Sequence, residues 1–169
     1  MKKVLLSIAV LTCFLLIGNK TIAQDTPDKQ DYKTAVGLKF GAYEDGVSVK
    51  YFATNDISYE GVLGFRDHGV VVTGLYEINQ EAFNVPALKF YYGFGAHIGA
   101  EGKGDYQRLG NDEYYNNSHL LFGADGVLGL EYIIPQSPIA VSLDLNPRVE
   151  VATGPFFDIA PGLGLKYTF

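Results

Sequence analysis

The chain has 169 residues, enough for one domain and hardly for two. Its formal net charge of −6 argues against nucleic acid as a partner. Its 12 Tyr, 11 Phe and 20 Gly, with no Trp, suit strands and tight bends better than long helices, and past the N-terminus no helical 3.6-residue period develops.

The first residues predict an export signal. Lys2 and Lys3 give a positive start, Val4 to Ile17 is an apolar run, and Thr21-Ile22-Ala23 offers the small alternating residues of a cleavage site after Ala23. The run is about 14 residues, short of the roughly 20 that span a bilayer as a helix. Cys13, the single cysteine, has a faint lipoprotein-box setting, but Thr12 is bulky there and apolar residues continue to Ile17. With Cys13 removed, no disulfide framework holds the exported chain. Cleavage takes Lys2, Lys3 and Lys20 and no acid from a net charge of −6, leaving −9.

Residues 24–32 read as a loose polar leader, and residues 33–169 as the folded domain. Eight segments of period two follow. Val36, Leu38 and Phe40 alternate with Gly37, Lys39 and Gly41, then Val47, Val49 and Tyr51 with Ser48 and Lys50. In the third and fourth, Tyr59, Leu63 and Phe65 oppose Ser58, Glu60 and Arg66, and Val70, Val72 and Tyr76 oppose Thr73 and Glu77. The fifth is the clearest: Leu88, Phe90, Tyr92, Phe94, Ala96 and Ile98 face away from Lys89, Tyr91, Gly93, Gly95, His97 and Gly99. The sixth sets Leu120, Phe122, Leu128, Leu130 and Tyr132 against Gly123, Asp125, Gly129 and Glu131; the seventh sets Leu143 and Leu145 against Ser142 and Asp144. The eighth sets Leu163, Leu165, Tyr167 and Phe169 against Gly162, Gly164, Lys166 and Thr168. Such alternation marks half-buried or lipid-facing strands. No later run approaches 18 apolar residues, so a closed barrel is the backbone that would satisfy itself in lipid.

The connections predict a polarity. Glu44-Asp45-Gly46, Asp67-His68-Gly69, Gly102–Ser118 and Thr153–Asp158 fall at one end, taken as outer. Thr54-Asn55-Asp56, Asn79–Ala87 and Pro135–Pro138 fall at the inner end, where turns should be short; the nine residues Asn79–Ala87 are an exception. Pro147 and Pro161 are expected at a bulge or the outer rim, because a barrel has no free edge for a missing donor.

Alternation fits either a soluble barrel with its apolar face inward or a membrane barrel with that face outward. The polar face carries Lys39, Lys50, Arg66, Lys89, Arg148 and Lys166 among Glu60, Glu77, Glu101, Asp125, Glu131, Asp144 and Glu150, with many glycines. Balanced ions interlocked in a narrow lumen fit that face, with glycines relieving the crowding. On the other face Tyr51, Tyr59, Tyr76, Phe90, Tyr132, Tyr167 and Phe169 would form an inner girdle, and Phe65 and Phe122 begin an outer one.

The ending Gly164-Leu165-Lys166-Tyr167-Thr168-Phe169 resembles the terminal β-signal of outer-membrane proteins, although Gly162 stands where a polar residue is expected. With the export signal and eight alternating segments, residues 33–169 resemble the small eight-stranded outer-membrane barrels of the OmpA and OmpX type, in pattern and not in residue identity. The resemblance implies an all-β, eight-stranded antiparallel up-and-down transmembrane barrel in outer-membrane lipid. It also implies that the assembly machinery reads Tyr167 and Phe169. The chain ends with that strand, so no peptidoglycan-binding domain is expected.

No catalytic constellation is expected. His68 with Asp67, His97, and His119 with Ser118 are the candidates for a lipid-modifying barrel enzyme, which needs nucleophile, base and orienting acid in reach. His68 lacks a serine in its loop, and His97 and His119 fall on lumen parity. No metal or cofactor site is expected; Asn111, Asp112 and Glu113 lack calcium-loop spacing. Residues 102–118, with Tyr106, Arg108, Tyr114 and Tyr115, could hold an extracellular partner. The expected function is structural or surface-interacting; the alternatives are a His-dependent lipid enzyme, a narrow pore, and a soluble carrier of an apolar ligand.

Overall fold

A computed structural model describes residues 32–66, 68–106, 113–152 and 156–169. The expected signal with Cys13, the leader up to residue 31, Asp67, Arg108, Asn111 and Asp112 lie outside the described residues.

The strands are β1 (Thr34–Gly41), β2 (Asp45–Phe52), β3 (Ile57–Arg66), β4 (Gly69–Ala82), β5 (Val85–Glu101), β6 (Gly104–Tyr106), β7 (Glu113–Tyr115), β8 (His119–Ile133), β9 (Ile139–Glu150) and β10 (Phe156–Thr168). Eight close a barrel in the order β1-β10-β9-β8-β5-β4-β3-β2, all pairs antiparallel. The closing seam pairs Ala35 with Thr168 through to Gly41 with Gly162. Every expected segment is thus a barrel strand, and the strands alternate in burial. In β3, Ser58, Glu60, Val62 and Gly64 are buried while Tyr59, Leu63 and Phe65 are exposed. No helix among the described residues is long and apolar enough to cross a membrane, a search that is silent about strands.

Three expected boundaries need correction. Asn79–Ala87 is not a loop: β4 and β5 run on to a two-residue turn, Phe83-Asn84, with φ of 55° and 56°. Two successive positive φ values give the twist that suits a tight hairpin. A register shift between Glu81 and Ala82 admits the turn. The exception among the short turns therefore disappears. Residues 102–118 are not plain loop either, because β6 and β7 pair within them. Tyr32, assigned to the leader, is buried and packs edge-on against Phe52, ring centroids 5.2 Å apart.

Both prolines lie inside strands. Pro147 makes no bulge: the β8–β9 register is the same before and after it, with pairing interrupted between Asp125–Arg148 and Leu128–Leu145. Val151 donates its N–H to Phe122 on β8, and strand alternation points the Pro147 nitrogen the same way, so the missing donor opens that gap. Pro161 sits where the β1 ladder ends, its carbonyl accepting from Ala42 and its absent N–H falling beyond the last β1 pair.

Candidate functional site

The barrel interior is the site with chemistry in it. Inward positions of an eight-stranded barrel have just room for side chains, and here they carry opposite charges. Lys50, Glu60, Glu77, Asp125, Glu131, Asp144, Glu150 and Lys166 are at most 5% exposed. Isolated charges at such depth would be very costly, so partners are required.

The partners form two groups. Toward the end bearing the chain termini, Lys50 Nζ lies 3.0 Å from Glu77 and 3.5 Å from Glu131, and Lys166 Nζ lies 2.7 Å from Glu60 and 3.5 Å from Glu131. The Lys50 ammonium also donates to Asn79 Oδ1 and stands 4.4 Å from the centre of the Tyr91 ring. Ser48 donates to Glu60, Ser58 to Glu77, and Tyr32 Oη to Glu131 at 2.7 Å. Tyr32, Ala35 and Phe52 form an apolar floor beneath.

Toward the other end, Arg66 donates to Glu44 Oε2 at 3.0 Å and to Glu101 Oε1 at 2.6 Å. Arg148 donates to Asp125 at 2.6 Å and to both oxygens of Glu44, at 3.1 and 3.3 Å. His97 lies between two carboxylates, Nδ1 at 2.8 Å from Asp125 and Nε2 at 3.0 Å from Glu150. Lys39 reaches Asp144 at 3.2 Å, and Tyr91 Oη donates to Asp144 at 2.7 Å. Leu75, Tyr91 and Val127 form a buried apolar layer.

Of the six bases on the polar face, Lys39, Lys50, Arg66, Arg148 and Lys166 lie beside carboxylates, and Lys89 is half-buried near the turn end. Glu44 was missed. It lies in the turn after β1, outside any alternating run, yet it reaches over the mouth to clasp Arg66 and Arg148. Burial alone would raise its carboxyl, but the Arg148 and Arg66 guanidiniums more than offset this and hold it below the usual carboxylate range. Beneath it opens a cavity of about 640 Å³ lined by Lys39, Arg66, Leu75, Asp125 and Arg148 among others, but by none of the five charges of the inner group.

The lumen glycines make room, as expected. A Cβ on Gly129 would lie 2.5 Å from the Tyr91 ring, and one on Gly123 would lie 2.6 Å from His97 Cε1. Both rings are fixed by hydrogen bonds, so neither can easily yield.

The histidine candidates are dispersed. His68 is exposed after β3, its ring beside Gly104 of the β6–β7 hairpin. His119 Nε2 stands 3.3 Å from Glu101, and Ser118 is exposed. Carboxylates face both nitrogens of His97, an arrangement that holds a ring in place and activates no hydroxyl. In the 102–118 segment Tyr114 is exposed, while 107–112 lie outside the described residues.

The outer surface is apolar. Phe94 is 68% exposed, Leu143 62%, Leu163 48% and Leu165 43%, so the greasy face points away from the lumen on opposite walls. The lumen is lined by ions and not by the apolar surface that a carrier of an apolar ligand would need. Tyr51, Tyr59, Tyr132 and Phe169 are exposed, and Tyr59, Tyr76 and Phe94 touch in succession on paired strands, with centroids 5.7 and 5.5 Å apart.

No family model matches the chain, and no curated relative matches it. Among solved structures it is similar to the crystal structure of the N-terminal β-barrel domain of Pseudomonas aeruginosa OprF, with a TM-score of 0.63 and 17% identity. The match covers 82% of this chain and 98% of that one. Topology, strand count and this likeness together give the chain the eight-stranded barrel fold of the OmpA type.

Proposed function

We propose that this chain is an integral outer-membrane barrel whose interior is an ionic plug, with a structural or surface-interaction role and no enzymatic activity. The carrying observation is the inversion of polarity: buried ions inside, and large apolar side chains exposed on all eight strands. Exposed apolar area of this extent in water would be an association hazard, whereas in lipid it is the required surface. The likeness to the OprF barrel domain supports the same location. The tyrosines near the turn end suit a headgroup boundary, where a ring is apolar and its hydroxyl wet.

The plug reading rests on the inner group of charges and the aromatic floor, which block the lumen below the cavity. It expects no conductance steps in a planar bilayer; stepwise currents would favour the pore. The surface role falls to the β6–β7 hairpin with Tyr114, and Tyr167 and Phe169 fit recognition by the assembly machinery. Fractionation tests the location: the folded chain should require detergent for release and should change gel mobility on boiling. Recovery in the soluble fraction without detergent would reject it.

A further inference from the structure

The inner group of charges does not balance. Lys50 on β2 and Lys166 on β10 face Glu60 on β3, Glu77 on β4 and Glu131 on β8, all at most 2% exposed. From the remaining walls come Lys39 on β1 and Asp144 on β9, which pair with each other, and Tyr91 on β5, whose hydroxyl donates to Asp144. Tyr32 Oη donates to Glu131 from below. Counting every group, two ammoniums stand against three carboxyls once the Lys39–Asp144 pair cancels.

A second observation locates the surplus. Glu60 Oε2, Glu77 Oε1 and Glu131 Oε2 are buried oxygens with no hydrogen-bond donor, and Glu131 meets both ammoniums, at 3.5 Å each, which leaves the carboxyls of Glu60 and Glu77. Their residues are diagonal neighbours on one inward face, since Glu60 pairs with Leu75, two residues from Glu77. Diagonal neighbours on one face of a sheet reach one another when their side chains are long, as both glutamates are. Two ionised carboxylates have no hydrogen between them; a bond there requires one proton. A net negative charge on side chains buried to this depth is far more costly than a neutral group.

We propose that the chamber is a proton-binding site, in which Glu60 and Glu77 share one proton at neutral pH. The proton goes to the carboxyl pair because Glu131 is already served by Tyr32, Lys50 and Lys166. This reading depends on burial within the barrel and not on the membrane assignment, and it makes the inner chamber electrically neutral.

Infrared difference spectroscopy of the folded chain, with and without deuterium exchange, tests it. Wild type at neutral pH should show one buried protonated-carboxyl band. Glu77→Gln and Glu60→Gln should each lose that band, since two carboxylates then match two ammoniums; Glu81→Gln, on an exposed side chain, should keep it. Gel mobility before and after boiling confirms that each variant is folded, and if neither inner variant folds, alkaline titration of wild type alone decides: the band must bleach as the pH rises. Absence of the band in folded wild type, or its survival in both inner variants, overturns the proposal. So does stabilisation of wild type by sodium or potassium without any such band, which would make the ligand a metal cation.

Discussion

At the scale of single residues, the contacts that matter most come from charged side chains shared between partners. Glu44 is the clearest case, since one carboxylate serves two guanidiniums. Glu44→Gln should lower unfolding stability by about 2 kcal/mol, the range for a charged hydrogen bond, measured by urea titration in detergent. Because its folded carboxyl sits below the unfolded value, the stabilisation is present above the unfolded value. It is lost as pH falls through the folded one. The variant should therefore lose part of the acid-side decline in stability; an unchanged acid limb would show that the clasp does not hold in solution. Tyr91→Phe removes the donor to Asp144 while keeping the ring, and should cost about 1 kcal/mol by the same titration. Gly129→Ala should cost more than Tyr91→Phe, because the methyl meets the ring 2.5 Å away.

At the scale of elements, the strands were legible because their faces differ chemically. Leu165 beside Lys166, and Tyr59 beside Glu60, declare opposite sides without help from the rest of the chain. The β4–β5 turn was not legible, since Phe83-Asn84 contains neither glycine nor proline and Phe rarely adopts positive φ. Extra hairpin residues at Gln80 to Pro86 are moderately polar and so read as loop. Replacing the turn by Asn-Gly, as Phe83→Asn with Asn84→Gly, should raise stability by roughly 1 kcal/mol; a loss would mean that the Phe83 ring is held by something outside the chain. Glu44 was hidden for a related reason. A turn residue has no periodicity, and only closure of β1 against β10 sets it opposite Arg148, 104 positions away. Tyr32 escaped notice because polar residues precede it, although its ring completes the floor of the lumen.

At the scale of the whole molecule, one arrangement accounts for composition, register and surface together. Glycines and paired ions fit a narrow lumen, and aliphatic and aromatic side chains cover the outside. A charge placed on that outside should be penalised by depth, so Leu165→Arg should destabilise a lipid-embedded barrel by roughly 3 kcal/mol, read from urea unfolding in vesicles. The most direct test of the central claim is collision accessibility of a nitroxide attached at Phe94→Cys, Leu143→Cys and Leu165→Cys, one at a time, in a Cys13→Ser chain reconstituted into lipid vesicles. The account predicts frequent collisions with oxygen and few with a water-soluble nickel reagent at all three positions. Free access of the nickel reagent to all three would contradict it.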